Sequence, residues 1–121
     1  MIKELNKTTT LIGKSRNEYE FSLFSFDDFD DVKKSFIGGG LYLFTYRYKI
    51  DEYYKHQYIY LGQTGDYNTC FDNHNKEFCI RLRKSNCIGF YSMSNITEQE
   101  RKIAEKDLLD NYIFPCNTSD N

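Results

Sequence analysis

A chain of 121 residues is long enough for one domain with a single modest core. Its net charge of −2 excludes a basic field over the whole molecule that would attract nucleic acid, and leaves room only for a local basic patch. The chain contains 11 Tyr and 10 Phe but no Trp. Because tyrosine buries a ring and keeps a polar end, these residues can line a site as well as fill a core.

The first part of the chain predicts an N-terminal extension over residues 1–37, which either adds a strand and a helix to the sheet or mediates dimerisation. Residues 1–18 are polar, and we expect them to be loosely ordered. The segment YEFSLFSF at 19–26 alternates with period two and predicts a strand. Residues 27–36 carry apolar side chains at helical spacing and predict a short helix, which the glycines at 38–40 end.

The rest of the chain, residues 38–121, predicts one further unit of strands and helices. Strands are expected at 40–50, 57–64 and 85–93, and helices at 67–75 and 97–112. A short polar link joins the first two strands and predicts an antiparallel pair. Thr97 and Glu100 have capping-box spacing at the start of the last helix, and Pro115 prevents its continuation. The sum predicts an α+β fold, a three-stranded antiparallel sheet flanked by helices, with the N-terminal strand and helix packed on it.

The four cysteines, Cys70, Cys79, Cys87 and Cys116, follow no secretory signal, because the first residues contain no apolar segment. No run approaches the length of a membrane-spanning helix. We therefore predict a cytoplasmic protein that is not associated with a membrane and whose thiols are reduced. A zinc site with His74 as the fourth ligand is the alternative, but the chain has no C-x-x-C pair and the spacings are irregular.

Glu105 has an unusual position in the last predicted helix. Helical spacing places Arg101, Leu108 and Tyr112 on the same side as Glu105, so its carboxylate lies in the stripe that should pack on the sheet. An ionised carboxylate in such a place needs a cation, strong donors or a metal. The alternative is an ordinary i,i+4 ion pair with Arg101 on a solvated face.

Two tyrosines stand near glycines in the paired strands. Tyr42 follows Gly40, and Tyr60 precedes Gly62, and a glycine beside a tyrosine leaves room for a group to approach the strand backbone. Two phenols and a carboxylate suit metal-assisted hydrolysis of phosphodiesters, in which a phenol positions or deprotonates the nucleophile. In a chain with 11 tyrosines, core packing is the alternative.

Five pieces of the sequence, in order, resemble the motifs of the GIY-YIG endonuclease superfamily. They are GLY at 40–42, YLG at 60–62, QTGDY at 63–67, FDNH at 71–74 and ERKIAEKDLLDNYIFPCN at 100–117. The resemblance covers residues 38–117. It implies cleavage of DNA strands with one divalent metal ion, Mg²⁺ or Mn²⁺, as the cofactor and DNA as the partner.

The resemblance also implies a role for each of five residues. Glu105 would be the metal ligand. Tyr42 would be the phenol nearest the attacking water, as a base or as its orienting partner, and Tyr60 would help to place the phosphate. Asn117 would tie the chain end back to the site, and His74 would take a proton or hold the fold.

One position departs from the family pattern. The family has an arginine immediately before the phenylalanine that corresponds to Phe71, and this chain has Cys70 there. A guanidinium offers a planar, charged fork to a phosphate, which a thiol lacks. By analogy with lost oxyanion donors, the change should lower the rate about 10²–10³-fold.

Four basic residues are candidate substrate-binding groups, and they raise the question whether another cation replaces the missing arginine. Arg101 lies one helical turn before Glu105. The segment KEFCIRLRK at 76–84 supplies the other three, Lys76, Arg81 and Arg83, together with Lys84. In an extended segment Arg81 and Arg83 would share one face. The alternative, which we favour over replacement, is that these are solvent-facing charges or a phosphate-positioning patch remote from the reaction.

Three functions follow from these patterns. The first, which we favour, is a metal-dependent DNA endonuclease impaired by Cys70. The second is a non-cleaving module with the same fold that binds nucleic acid or regulates. The third is a thiol enzyme that uses Cys70 and His74, and it needs a third group that the sequence does not identify.

Overall fold

The computed structural model describes residues 8–28, 38–71 and 75–117. The strands and helices of these residues are β1 (Thr8–Ile12), β2 (Glu18–Ser25), β3 (Gly40–Ile50), β4 (Tyr53–Thr64), α1 (Glu77–Leu82), β5 (Cys87–Ser92) and α2 (Glu98–Leu109). A 3₁₀ turn, Phe26–Asp28, follows β2. The remainder of the helix predicted at 27–36 lies outside the described residues.

All five strands form one antiparallel sheet in the order β1–β2–β5–β3–β4. The predicted three-stranded sheet flanked by helices is therefore wrong, and the described part of the chain is mostly sheet. The difference arises because β2 pairs with β5 along the edge where the sheet was expected to end. The two N-terminal strands are part of the sheet.

The expectation that residues 1–18 are loosely ordered is wrong for β1. This strand begins with three threonines, whose β-branched side chains favour extended backbone. Leu11 is fully buried in the core. Two adjacent apolar residues, Leu11 and Ile12, at the end of a polar run give no periodic signal, so the strand was not visible in the sequence.

The sheet curves around α2. The hydroxyls of Thr9 in β1 and Tyr58 in β4 are 2.8 Å apart, although these are the two outer strands of the sheet. Outer strands can meet in this way only when the sheet between them is strongly twisted and curved. The enclosed side holds one core cluster, formed by Leu11, Tyr19, Phe21, Leu41, Leu43, Leu61, Ala104, Leu108 and Phe114.

A second cluster covers the opposite face of the sheet. It contains Tyr42, Phe44, Ile59, Tyr67, Ile80, Ile88, Phe90 and Cys116. Successive side chains of a strand point to opposite faces, so β3 contributes alternate residues to the two clusters. This explains why the start of β3 is one continuous hydrophobic run, since both of its faces are buried.

The orientation of α2 is set at both ends. The predicted N-cap is confirmed, because the Thr97 hydroxyl accepts a hydrogen bond from the Glu100 N–H at 3.1 Å. Further along, Asp107 accepts from the backbone N–H and the hydroxyl of Ser15, at 2.8 and 2.6 Å, and from the Tyr19 hydroxyl at 2.8 Å. These bonds, led by that from the Ser15 hydroxyl, lower the pKa of Asp107 and hold α2 against the turn between β1 and β2.

Two predicted elements differ in the structure. The described part of the predicted helix at 67–75 forms turns, in which an Asp66 carboxylate oxygen accepts from the Asn68 N–H at 2.9 Å. The segment 76–84, expected to be extended, contains α1. Side chains two positions apart on a helix point in widely different directions, so Arg81 and Arg83 do not share a face as predicted.

A disulfide joins Cys79 of α1 to Cys116, whose Cα atoms are 5.8 Å apart. The prediction of reduced thiols is wrong for this pair, whereas Cys70 and Cys87 are thiols. The disulfide also removes two of the zinc ligands considered above. The two cysteines meet only because the segment after α2 returns to the edge of β4, which no spacing pattern encodes.

None of the helices in residues 8–28, 38–71 and 75–117 has the length and apolar character needed to cross a membrane.

His56 is held neutral inside the fold. Its Nδ1 lies 2.8 Å from the hydroxyl of the buried Thr45, and its Nε2 is buried without a hydrogen-bond partner among the described residues. Burial, together with the positive charge of Arg47, lowers the pKa of His56 to about 4. The neutral imidazole is therefore the form that the folded chain accepts.

We expect the disulfide to stabilise the fold by about 2–4 kcal/mol, because it closes a long loop in the unfolded chain. The separation of the two cysteines is 37 residues. Urea denaturation of the oxidised parent and of the Cys79→Ser/Cys116→Ser variant measures the difference. A reductant should destabilise the parent and leave the variant unchanged. Equal stability of the oxidised and reduced parent would contradict the expectation.

We expect the free energy of unfolding to decrease as the pH falls from about 6.5, where unfolded histidine titrates, to about 4, where folded His56 titrates. In this window the unfolded chain binds a proton that the folded chain does not, so the stabilisation is complete above it and is lost below it. After allowance for solvent screening, the loss should be on the order of 1 kcal/mol.

The measurement is urea denaturation across that pH window, and His56→Gln should flatten the decrease even if it lowers stability at every pH. An NMR titration that gave His56 an ordinary pKa near 6.5 would contradict the proposed environment.

Candidate functional site

Tyr42 and Tyr60 lie side by side on the adjacent strands β3 and β4. Their ring centroids are 6.0 Å apart, with an angle of 41° between the planes. The strand register pairs Tyr42 with Gly62 and Phe44 with Tyr60, so both tyrosines lie on the same face of the sheet. Tyr42 is almost fully buried, and Tyr60 is partly exposed.

Gly62 makes room for the ring of Tyr42. A Cβ atom at this position would lie 2.3 Å from Cζ and 2.5 Å from the hydroxyl oxygen of Tyr42. The tyrosine side chain therefore crosses β4, and its hydroxyl lies over the outer strand of the sheet. The sequence predicted that a glycine here admits an approaching group, and that group is the neighbouring phenol.

The two phenols are linked to each other. Burial raises the pKa of Tyr42, and a hydrogen bond with Tyr60 raises it further. Burial also raises the pKa of Tyr60, whereas the same hydrogen bond lowers it. A hydrogen bond therefore joins the two side chains. Both phenols are neutral at neutral pH.

The Glu105 carboxylate, on α2, lies close enough to the two phenols for its charge to act on both. Its negative charge contributes, after burial, to the raised pKa of each phenol. Glu105 is itself partly buried, and burial raises its own pKa, against the opposing charge of Lys102. Three separate elements, β3, β4 and α2, thus bring two phenols and one carboxylate together.

Arg101 does not form the i,i+4 ion pair with Glu105 that the sequence offered as an alternative. Its Nε donates to Gln63 Oε1 at 3.1 Å, and its Nη1 donates to the Ile96 carbonyl at 2.6 Å. The guanidinium nevertheless lies near the site. Its charge lowers the pKa of Tyr67, against the larger effect of burial, which raises it.

Asn117 holds the outer edge of β4 next to Tyr60. Its Oδ1 accepts from the Leu61 N–H, and its Nδ2 donates to the Leu61 carbonyl, both at 2.8 Å. The Cys116 N–H donates to the Ile59 carbonyl at 3.0 Å. The chain end therefore bonds to β4 on both sides of Tyr60, in the place that the resemblance implied for Asn117.

Cys70 lies beside the phenols, at the position where the resembling family has an arginine. Ionisation of its thiol would add negative charge close to Tyr42, Tyr60 and Tyr67, and this contributes to the raised pKa of each phenol after burial. Its Sγ lies 3.9 Å from the Tyr67 carbonyl. The neighbouring Phe71 packs edge-on against Tyr42, with ring centroids 5.1 Å apart.

Tyr67 is a positioning residue that the sequence reasoning did not select. Its hydroxyl donates to the carbonyls of Leu41 in β3 and Tyr91 in β5, at 2.8 and 2.9 Å. It thereby ties the turn after β4 to the middle of the sheet, and with it Cys70 and Phe71. The signal in the sequence that could have indicated this role is a tyrosine directly after Gly65 and Asp66, at the end of the QTGDY motif.

The other predicted site residues are less central. Arg81 is exposed and forms an ion pair with Glu77 at 2.6 Å. Lys76 and Arg83 flank α1 at its two ends. His74 lies outside the described residues, so the structure does not locate it.

The donor set is compatible with a hydrated divalent cation. Mg²⁺ commonly keeps several water ligands and is held by one or two carboxylates together with substrate phosphates. Glu105 would supply that carboxylate, with the two phenols nearby. Within residues 8–28, 38–71 and 75–117, no group of three or more His, Cys, Asp or Glu side chains is arranged around a common point.

Comparisons with protein-family models, with curated proteins and with solved structures find no match to this chain.

We expect Gly62→Ala to lower the free energy of unfolding by about 1–3 kcal/mol, because the new methyl group would overlap the ring of Tyr42. Gly89→Ala is the matched control, since a Cβ there would meet the flexible Leu23 Cδ2 at 3.0 Å, and it should cost less. Urea denaturation measures both. In a Tyr42→Ala background the cost of Gly62→Ala should largely disappear, and an unchanged cost would contradict the contact.

Proposed function

We propose that this chain is a metal-dependent endonuclease that hydrolyses DNA phosphodiester bonds, as its resemblance to the GIY-YIG endonucleases suggests. The observation that supports the proposal most strongly is the convergence of Tyr42, Tyr60 and Glu105. Three side chains from three elements meet at the edge of the sheet, where a nucleic acid strand can approach. Core packing alone would not require a partly buried carboxylate beside two hydrogen-bonded phenols.

In this proposal Glu105 holds a divalent cation and Tyr42 orients the attacking water. When bound, the cation polarises a phosphate oxygen and supplies positive charge to a site that is otherwise poor in it. Because burial raises the pKa of Tyr42, its hydroxyl is protonated at neutral pH and is not a preformed base, so it would orient the water by hydrogen bonding. Tyr60 is hydrogen-bonded to Tyr42 and would help to hold its hydroxyl in place.

Cys70 limits the proposed rate. A thiol at this position offers no permanent positive charge to the phosphate as the transition state forms. The guanidinium of Arg101 is nearby, but its bonds to Gln63 and Ile96 direct two of its N–H groups elsewhere. We therefore propose a slow nuclease that an arginine at position 70 would accelerate.

The cysteine at position 70 also favours a second candidate function, that of a nucleic-acid-binding module that does not cleave. A chain that keeps the phenols and the carboxylate and lacks the arginine would retain the shape of the site. It would lose most of the stabilisation of developing charge. The two candidates differ in whether Glu105 is needed for strand cleavage.

We propose the cytoplasm as the compartment, as inferred from the sequence. The Cys79–Cys116 disulfide points the other way, because cytoplasmic thiols are usually kept reduced. Alkylation of thiols in freshly lysed cells, followed by mass spectrometry, shows whether Cys79 and Cys116 are reduced or joined by a disulfide in the cell.

We expect the purified chain to nick supercoiled plasmid in the presence of Mg²⁺ or Mn²⁺. Glu105→Gln should abolish nicking, because the cation loses its protein ligand. The matched control is Glu100→Gln, the same chemical change in the exposed first turn of α2, where glutamine also suits a capping box. Cys70→Arg should raise the rate about 10²–10³-fold.

Two results would count against the nuclease. Equal nicking by the parent and by Glu105→Gln would indicate a contaminant or another site. No nicking by the parent or by any variant, Cys70→Arg included, together with measurable DNA binding, would favour the non-cleaving module.

A further inference from the structure

A groove lies beside the candidate site on the same face of the sheet. It has a volume of about 320 Å³ and is lined by Tyr46, Gln57, Ile59, Arg83, Lys84 and Pro115. Tyr46 packs against the cluster that contains Tyr42, and Gln57 pairs with Tyr46 across β3 and β4. The groove is therefore part of the same surface as the two phenols.

The groove and the candidate site are continuous along β4. Gln57 lies three positions before Tyr60, which corresponds to about 10 Å of extended strand. On the other side, Pro115 directly precedes Cys116, whose N–H is bonded to the Ile59 carbonyl. An extended ligand in the groove would therefore reach Tyr60 within a few repeating units.

The groove carries positive charge in a chain whose net charge is −2. Arg83 is the C-cap residue of α1 and Lys84 follows it, and both side chains are exposed at the groove. Arg81, on the same helix, is different, because it is paired with Glu77 at 2.6 Å and does not line the groove. The helix thus directs two cations to the groove and one away from it.

Lys84 has a backbone conformation that favours glycine. Its φ is 63°, in the left-handed region that the residue after a helix commonly adopts. Its N–H donates to the Arg81 carbonyl at 2.9 Å and ends α1. A lysine at such a position places a charge at the groove where glycine would suit the backbone better.

Tyr46 supplies an aromatic surface beside the two cations. Its ring stacks on that of Tyr48, with centroids 5.7 Å apart and an angle of 22° between the planes. It is only partly buried, and it lines the groove. Aromatic rings next to basic side chains are the usual means of holding single strands, whose unpaired bases can stack on protein.

We infer that this groove binds single-stranded nucleic acid, with a base against Tyr46 and backbone phosphates at Arg83 and Lys84. The small volume suits one nucleotide unit at a time rather than a duplex. The inference adds to the proposed nuclease function by naming single-stranded nucleic acid as the substrate class, and in that respect it rests on the proposed function. Binding of a single strand in the groove does not depend on cleavage. A strand held here would continue along β4 towards Tyr60.

The test is binding of a fluorescently labelled single-stranded DNA oligonucleotide of mixed sequence, followed by anisotropy in EDTA so that no cleavage occurs. Arg83→Gln/Lys84→Gly should weaken binding at least tenfold, and glycine at position 84 keeps the backbone conformation. The dependence of log affinity on log salt should become shallower by about 1.4, since two phosphate contacts are lost. The matched control, Arg81→Gln, should change the affinity less than twofold.

Tyr46 is tested separately. Tyr46→Leu should weaken single-strand binding about fivefold to a hundredfold, the usual effect of losing one stacked base. Its matched control is Tyr53→Leu, at a tyrosine of β4 that is 63% exposed and does not line the groove. Thermal unfolding of every variant identifies any loss that is due to misfolding.

The outcomes separate this inference from the proposed function. Three results would contradict the inference that the groove binds a single strand, even if plasmid nicking succeeds. They are no single-strand binding by the parent, unchanged affinity and salt dependence in Arg83→Gln/Lys84→Gly, and tighter binding of the matched duplex. Groove-dependent binding of the single strand, with no cleavage by any variant, would support the groove and refute the nuclease.

Discussion

The hydroxyls of Thr9 and Tyr58 meet although their strands are the two outer strands of the sheet. This contact requires the sheet to curve around α2, and the curvature brings the helix against the outer strand β4. Glu105 can then lie near the phenols of β3 and β4, which point to the other face of the sheet. In a flat sheet, α2 would lie under the central strands and its carboxylate would not reach Tyr42. The bonds from Ser15 and Tyr19 to Asp107 hold the helix in this orientation.

Burial of ionisable groups is the second constraint on the site. The two phenols are neutral, and Glu105 is a partly buried carboxylate whose pKa is raised. Cys70 adds a thiol where a guanidinium would have offset these charges. An added cation stabilises a partly buried carboxylate. The proposed metal ion, the proposed low rate and the expected effect of an arginine at position 70 all depend on this property. The positive charge of this face lies instead in the neighbouring groove, at Arg83 and Lys84.

The segment at 115–117 connects β4, beside the candidate site, to α1. Asn117 and the Cys116 N–H bond to β4 on each side of Tyr60, and the disulfide from Cys116 to Cys79 connects the same segment to α1. The segment therefore joins the candidate site to the helix that carries the cations of the groove. A small domain gains more from such a link than a large one does, because its core buries less surface.

Sequence patterns alone determined β2, the pair β3–β4, β5 and the capped helix α2, because each has a strong local period or a capping signal. They also selected Tyr42, Tyr60, Glu105 and Asn117 through the resemblance. Tertiary structure decided the rest. β1 depends on one buried leucine and on pairing with β2, and α1 is too short to be stable without packing and its disulfide. The hydrogen bond between the phenols, the fit of Tyr42 over Gly62 and the Cys79–Cys116 pair arise between segments distant in the chain, and a local pattern carries no information about which distant segments will meet.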